Sequence, residues 1–347
     1  MLLSPVGTEG QQRLSSAHAL VVGCGALGCV TASLLARAGV GRLTLVDRDL
    51  VETTNLQRQI LYTERHVRDH TPKAHAAAQV LRQANSSVTI EPVVASADCT
   101  NAPRLAGIDT CERPRADIIL DGTDNFEARY LLNDLAVRES IPFLYAGAVS
   151  ARAMGMTILP QTTACLRCLF PDPPPPGSTE TCDTVGVWGP AVTLAGAIQA
   201  SEALKLLLGH PGARSPALVD IDMWTNTFRP LDITAQRRDD CPCCAHRDFP
   251  FLEGRISSHV QTVCGRDAHQ ISPQTPADLD LSALAARLKP AGDFTATPFL
   301  VQGVLSNELG SADKPIELTI FPDGRTIVAH AIDADHARSI VARTLGL

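Results

Sequence analysis

Short apolar runs and longer apolar stripes alternate along the first 150 residues. Ala19–Val22 is a brief apolar run that ends in glycines. Ala26–Ala38 then repeats apolar residues at helical spacing until Gly39. Leu43–Val46, Val88–Ala95, Ile118–Leu120 and Phe143–Ala146 read as further strands, and Asn125–Glu139 as a helix. Apolar strands separated by helices predict an α/β fold, a Rossmann-like and mostly parallel sheet with helices on both faces. Pro171–Glu180 carries four consecutive prolines among small polar residues, so it reads as an exposed loop. Pro190 suits a first helical turn, and Ala191–Leu208 reads as a long helix closed by Gly209.

The texture changes after Cys241-Pro242-Cys243-Cys244. The remainder predicts a strand near Thr262, a helix over Leu281–Leu288 and a last helix over Ala334–Leu345. Between the helices, Ile316–Phe321 and Thr326–His330 flank a Pro322-Asp323-Gly324 turn and read as a hairpin. Residues 1–250 are therefore expected to form one domain and residues 255–347 a small α+β domain. By position it suits recruitment of a partner.

Composition narrows the class. Of 347 residues, 45% are hydrophobic and 19% charged, enough for a sizeable core and too apolar for a disordered chain. Aromatics are 4%, so that core must be aliphatic. A formal net charge of −7 argues against nucleic acid as a partner. The opening MLLSPVGTEG lacks a basic start followed by an apolar stretch, and the apolar window 189–209 contains Glu202 and Lys205. The expectation is a cytoplasmic protein without a membrane span. Eleven cysteines in that compartment point to metal or redox chemistry rather than disulfides.

Gly23-Cys24-Gly25-Ala26-Leu27-Gly28 follows a strand and opens a helix. Gly23 permits the tight turn, Gly25 lets a phosphate approach the backbone, and Gly28 allows the helix to pack on the strand. The helix start offers free N–H groups and a positive dipole end. Asp47, after the next strand, stands where a carboxylate accepts ribose hydroxyls. This pattern means an adenine nucleotide and does not separate ATP from NAD.

The separation comes from two longer strings. One runs Val46-Asp47-Arg48-Asp49-Leu50-Val51, then Asn55-Leu56-Gln57-Arg58-Gln59, with Pro72-Lys73 beyond. The other is Asp121-Gly122-Thr123-Asp124-Asn125 followed by Arg129. On these strings the chain resembles the ThiF/MoeB/HesA family, relatives of the ubiquitin-activating enzymes, over residues 8 to about 245. The resemblance implies adenylation, with Mg-ATP, of the C-terminal Gly-Gly carboxylate of a small ubiquitin-like or sulfur-carrier protein, with release of pyrophosphate. It implies that Arg58 and Lys73 contact the triphosphate and that Asn55 and Gln59 shape the same pocket. It makes Asp124 the magnesium ligand and Asp47 the ribose acceptor. Asp49 and Asn125, inside the strings, join the nucleotide set. Cations and a hard-metal carboxylate suit a reaction that must neutralise phosphate charge. The resemblance also implies a homodimer.

Two departures from the family pattern stand out. Ala26 replaces a usual glycine, and its methyl should crowd the nucleotide. The family also carries an R-Y-x-R-Q segment ahead of the E-G-Q seen here as Glu9-Gly10-Gln11, and its arginine reaches the ATP site of the other subunit. The start lies upstream, another cation substitutes, or adenylation is impaired. The rival readings are thus an impaired family member serving as a binding scaffold, and an NAD-dependent oxidoreductase resting on the glycine loop and Asp47 alone.

Cys165-x-x-Cys168 and Cys241-x-x-Cys244 form two knuckles, and four thiolates make a closed structural zinc site. Cys243 is then spare, and the resemblance points to the same four. Cys182 lies in Thr181-Cys182-Asp183-Thr184-Val185-Gly186, a segment whose cysteine, in some relatives, bonds covalently to the carrier or its sulfur as a thioester or acyl disulfide. A bystander thiol is the alternative. Cys24, Cys29, Cys99 and Cys111 read as packing or surface residues, and Cys264 as a strand-end thiol.

Overall fold

The computed structural model describes residues 3–174, 185–210, 212, 217–256, 260–262, 268–273 and 277–345. They fall into two compact units, Met1–Ile256 and Ser257–Leu347.

The first unit is built on eight strands: β1 (His18–Val22), β2 (Arg42–Val46), β3 (Thr89–Val93), β4 (Ile118–Asp121), β5 (Phe143–Val149), β6 (Arg152–Ile158), β7 (Ala217–Asp222) and β8 (Thr227–Asp232). Their order is β3-β2-β1-β4-β5-β6-β7-β8. Pairings from β3 to β5 are parallel, and those from β5 to β8 are antiparallel. Alternating side chains of β1 serve two cores. Ala19 and Val21 face the helices Ala26–Ala38 and Lys73–Ala84, through Leu35, Ala77 and Leu81, and the helix Gly189–Leu207, through Ala200 and Ala203. Leu20 and Val22 face the helix Phe126–Glu139, through Leu131, Leu132 and Leu135. A sheet covered on both faces explains why its central strands read as unbroken apolar runs.

The direction of travel from β1 to β2 and from β1 to β4 diverges, so the crevice at their carboxyl ends is the switch point of the sheet. The helices fall close to their sequence expectations. Gly39, at φ +83, closes Ala26–Ala38, and Pro190 sits in the first turn of Gly189–Leu207. Two helices, Gly7–Ser16 and Lys73–Ala84, and the meander β6–β8 add to the sequence reading. The stripe of Lys73–Ala84 is mostly alanine, which packs tightly but gives a weak apolar period. The meander begins where Ser150 takes a left-handed φ of 55° in the tight turn joining β5 to β6.

The second unit is a six-stranded antiparallel sheet ordered β11-β12-β13-β14-β10-β9. The strands are β9 (Val260–Thr262), β10 (Ala268–Ile271), β11 (Gly292–Ala296), β12 (Val301–Leu309), β13 (Pro315–Ile320) and β14 (Thr326–Ala329). Helices Leu281–Leu288 and Ala334–Leu345 supply Leu284, Leu288 and Ile340 to a core with Ile316, Leu318 and Val328. The β13–β14 hairpin turns at Gly324, φ +84, whose N–H reaches the Phe321 carbonyl at 3.0 Å. Strands β10, β11 and β12 carry too little apolar alternation to have been read beforehand. Among the described residues no helix is long and apolar enough to cross a membrane.

Candidate active site and cysteine cluster

The glycine loop forms because backbone meets backbone where side chains would not fit. Gly23 has φ +90, and a Cβ there would stand 2.5 Å from the Gly122 carbonyl. The loops after β1 and β4 touch, with the Gly122 N–H on the Val22 carbonyl at 2.7 Å. A Cβ on Gly28 would overlap the Gly23 carbonyl oxygen, so any larger residue would push the helix off the strand. Gly25 differs: its nearest neighbour would be the Gly122 oxygen at 3.8 Å, so its face opens on free space. That is the approach a phosphate needs. The Ala26 methyl, expected to crowd the loop, packs partly into a cluster with Ala146, Ala153 and Val192.

Asp47 fastens the loop. One carboxylate oxygen accepts from the Cys24 N–H at 2.7 Å and the other from the Asp49 N–H at 2.7 Å. Burial pushes its pKa up, opposed by the Lys73 charge. Lys73 opens its helix after Pro72, and its Nζ donates to Asp49 at 2.9 Å. Burial works against the ammonium, yet Asp49 and Asp47 together lift it above the usual lysine range. Lys73 is thus a fixed positive charge, 8% exposed, against the glycine loop.

Asp124 follows β4 and is exposed, and its carboxylate also acts on Lys73. The next residue explains its freedom. Asn125 caps the helix Phe126–Glu139, its Oδ1 accepting from the Glu127 N–H at 2.8 Å, so Asp124 does not cap. Asn55 is buried in a reciprocal cap with Glu52. Gln59 is 4% exposed, and its Oε1 has no hydrogen-bond partner among the described residues, a polar atom that a ligand donor would satisfy. Arg58 is half-buried, its Nη1 donating to the Thr54 carbonyl at 2.8 Å. Its backbone lies beside Gly189, at the start of the long helix. The structure therefore joins Asp47, Asp49 and Lys73 by direct contact and brings Asp124 within electrostatic reach of them.

Other residues enter only with the structure. Tyr62 Oη donates to the Cys24 carbonyl at 2.6 Å, tying the glycine loop from below. No sequence signal marked it. Arg129 donates to the Thr123 carbonyl at 2.8 Å and pairs with the buried Asp121 at 3.3 Å. It ended the second string and was visible there. Gln199 Nε2 reaches the Asp121 and Leu144 carbonyls at 2.8 and 2.9 Å. A glutamine inside an apolar helix was the available clue.

The cysteine cluster belongs to the core that Leu20 and Val22 share with the helix Phe126–Glu139. Sγ atoms of Cys165, Cys168, Cys241 and Cys244 all lie within 4.8 Å of one another. Cys165 is 3.8 Å from Cys168 and 3.6 Å from Cys241, and Cys168 is 3.4 Å from Cys244. A zinc–sulfur bond of about 2.3 Å sets tetrahedral sulfurs about 3.8 Å apart, so the four fit zinc. Cys243 stays outside the four, its Sγ accepting from Asn133 Nδ2 at 3.3 Å and also touching Cys165 and Asp134. Cys24 and Cys29 are buried, Cys99 half-buried and Cys111 exposed. Cys182 and Cys264 lie outside the described residues.

Sheet order, glycine loop and lysine–carboxylate group define a doubly wound α/β protein of the nucleotide-using kind. The chain belongs to the ThiF family, whose model matches residues 1–243. A sulfur carrier protein ThiS adenylyltransferase of Bacillus subtilis is 38% identical over 99% of this chain and 97% of its own length. A SAMP-activating enzyme E1 of Haloferax volcanii is 39% identical over 73% of this chain and 89% of its own length. Among solved structures, E. coli MccB in a crystal with ATP shares the fold, with a TM-score of 0.57 and 23% identity over 67% of this chain and 68% of its own.

Proposed function

We propose that this chain adenylates the C-terminal carboxylate of a small sulfur-carrier or ubiquitin-like protein ending in Gly-Gly. The observation that carries the reading is the permanently charged Lys73 held against the glycine loop by Asp47 and Asp49, with exposed Asp124 beside it. The near full-length likeness to a carrier adenylyltransferase supports the same chemistry.

The carrier carboxylate is already ionised at neutral pH and needs no general base. Its oxygen attacks the α-phosphorus of ATP, the bond to the β-phosphate oxygen breaks, and pyrophosphate leaves. Gly25 and the helix start receive the phosphates, and Lys73, with Arg58, offsets their charge. Lys73 must exchange Asp49 for phosphate oxygens. Asp47 holds the loop and takes the ribose hydroxyls, while Asn55, Gln59 and Asn125 shape the walls. A magnesium ion held by Asp124 would supply further charge neutralisation. A zinc ion held by Cys165, Cys168, Cys241 and Cys244 would staple segments far apart in sequence.

The carrier has a surface to meet. Trp188 caps the long helix beside Arg58 and packs edge-to-face with Trp224 on the β7–β8 hairpin, both rings exposed. Such an apolar patch suits a protein substrate. Cys182 is the acceptor for the activated acyl group, forming a thioester with release of AMP. The working form is a homodimer, with the second unit helping to recruit the carrier or its acceptor.

Carrier-dependent exchange of pyrophosphate into ATP tests the reading. Exchange is expected only with a Gly-Gly carrier, and its absence with every Gly-Gly carrier of the source genome overturns it.

A further inference from the structure

The helix Phe126–Glu139 links the two sites physically. At its start stand Asp124 and the capping Asn125. Two turns on, one face grips both cysteine knuckles. Asn133, fully buried, uses both ends of its amide: Oδ1 accepts from the Leu166 N–H at 2.9 Å, inside the first knuckle, and Nδ2 donates to Cys243 Sγ at 3.3 Å, inside the second. Tyr130, one turn back, and the adjacent Asp134 add to the grip. Tyr130 Oη donates to the Phe170 carbonyl at 2.9 Å, just past the first knuckle. Asp134 Oδ2 accepts from the Phe251 N–H at 3.1 Å, just past the second. The knuckles also hold each other, since Arg167 Nη1 reaches the Asp248 carbonyl at 3.4 Å.

We propose that Asn133 is a positioning residue that locks both knuckles to this helix, so that zinc retention at the cysteines and MgATP binding at the glycine loop strengthen one another. The cause is mechanical. Without a metal, four sulfurs crowded within 4.8 Å lose the bonds that hold the knuckles together. The two Asn133 bonds then lose their fixed partners, and this face of the helix is released. From Asn133 to Asn125 is about 12 Å of stiff helix, at about 1.5 Å per residue. A shift at one end therefore moves Asp124 at the other. The coupling half rests on the proposed adenylating reaction; the clamp half does not.

The test uses the zinc-loaded full chain and two variants, Asn133→Leu, which removes both bonds, and Cys243→Ala, which removes one of them together with the sulfur's contacts to Asp134 and Cys165. Zinc loss to a chelating dye is followed with and without saturating MgATP. Asn133→Leu is expected to lose zinc about tenfold faster or more, and Cys243→Ala to speed it by a smaller factor. MgATP affinity of the unmodified chain should weaken on zinc removal. MgATP should strengthen zinc retention by the same factor, and that factor should fall to near one in Asn133→Leu. A residue that only filled space would leave this reciprocal factor unchanged. If Asn133→Leu does not fold, Cys243→Ala carries the measurement.

Unchanged zinc loss in the folded variants overturns the clamp, as does a chain that takes up no zinc. Equal MgATP affinity with and without zinc overturns the coupling. A chain that binds no MgATP in any form overturns the adenylating reading instead, and the zinc-loss rates still judge the clamp.

Discussion

At the glycine loop the decisive atoms belong to the backbone. Gly23, Gly28 and Gly122 are there because their neighbours leave no room for a Cβ, and Asp47 holds the loop through two N–H groups. At the cysteine cluster the decisive atoms are side chains, brought together from positions 76 residues apart and clamped by one buried asparagine amide. The first site depends on the sheet already being folded. The second can help to close the fold, because a metal contributes to folding wherever its ligands converge only in the native state. One is therefore sensitive to charge at its mouth, the other to loss of any single ligand.

The comparison is broken most directly at the mouth of the first site. Asp124→Ala should lower carrier-dependent pyrophosphate exchange by about a thousandfold. Because Asp124 is exposed and Asn125 does the capping, the melting temperature should not move. Unaltered exchange would separate Asp124 from the chemistry. Lys73→Met should reduce exchange by about a hundredfold. It should also destabilise the fold, since Asp47 and Asp49 lose their counter-charge. A Lys73 variant with full exchange would move the phosphate site elsewhere.

Cys165→Ser sharpens the other side. Zinc content should fall from one per chain to none, with a loss of about 3 kcal/mol in unfolding free energy. Metal analysis and denaturant melts read both, and one zinc retained per chain would contradict the four-cysteine assignment.

A background for both comes from the amino end of β1, inside the sheet, and is the smallest effect. His18 is 2% exposed, its Nδ1 donating to the Pro114 carbonyl at 2.9 Å and its Nε2 accepting from Thr44 at 2.9 Å. Burial, the dominant cause, lowers its pKa below 6.5. The unfolded imidazole takes its proton near 6.5 while the folded one resists, so stability is full above that pH and is lost as pH falls through it. Melting curves between about pH 7.5 and 5.5 should show this slope, and His18→Gln should lessen it, leaving the smaller part due to His66 and His75, whose pKa values burial also lowers.

The sequence carried the first site further than the second unit. Glycine spacing, the paired strings and two Cys-x-x-Cys pairs are local patterns; the glycine loop falls at the strand end its spacing implied, and the four cysteines come together. Pairing direction is not local, so nothing in Arg152–Ile158 announced that β6 would run antiparallel to β5. Alanine packing hid the helix that begins at Lys73. Tyr62 and Asn133 escaped for the same reason: each acts through a contact that exists only after distant segments meet. Arg129 and Gln199 were legible in principle, one as the end of a string and one as a polar residue in an apolar helix.

The edge-to-face pair Trp188 and Trp224, with ring centres 5.8 Å apart, holds both tryptophans of the chain. Intrinsic fluorescence excited at the indole band therefore reports from one corner of the first unit, and the second unit is optically silent. A protein seated over that corner would shift the emission to shorter wavelength without any attached dye.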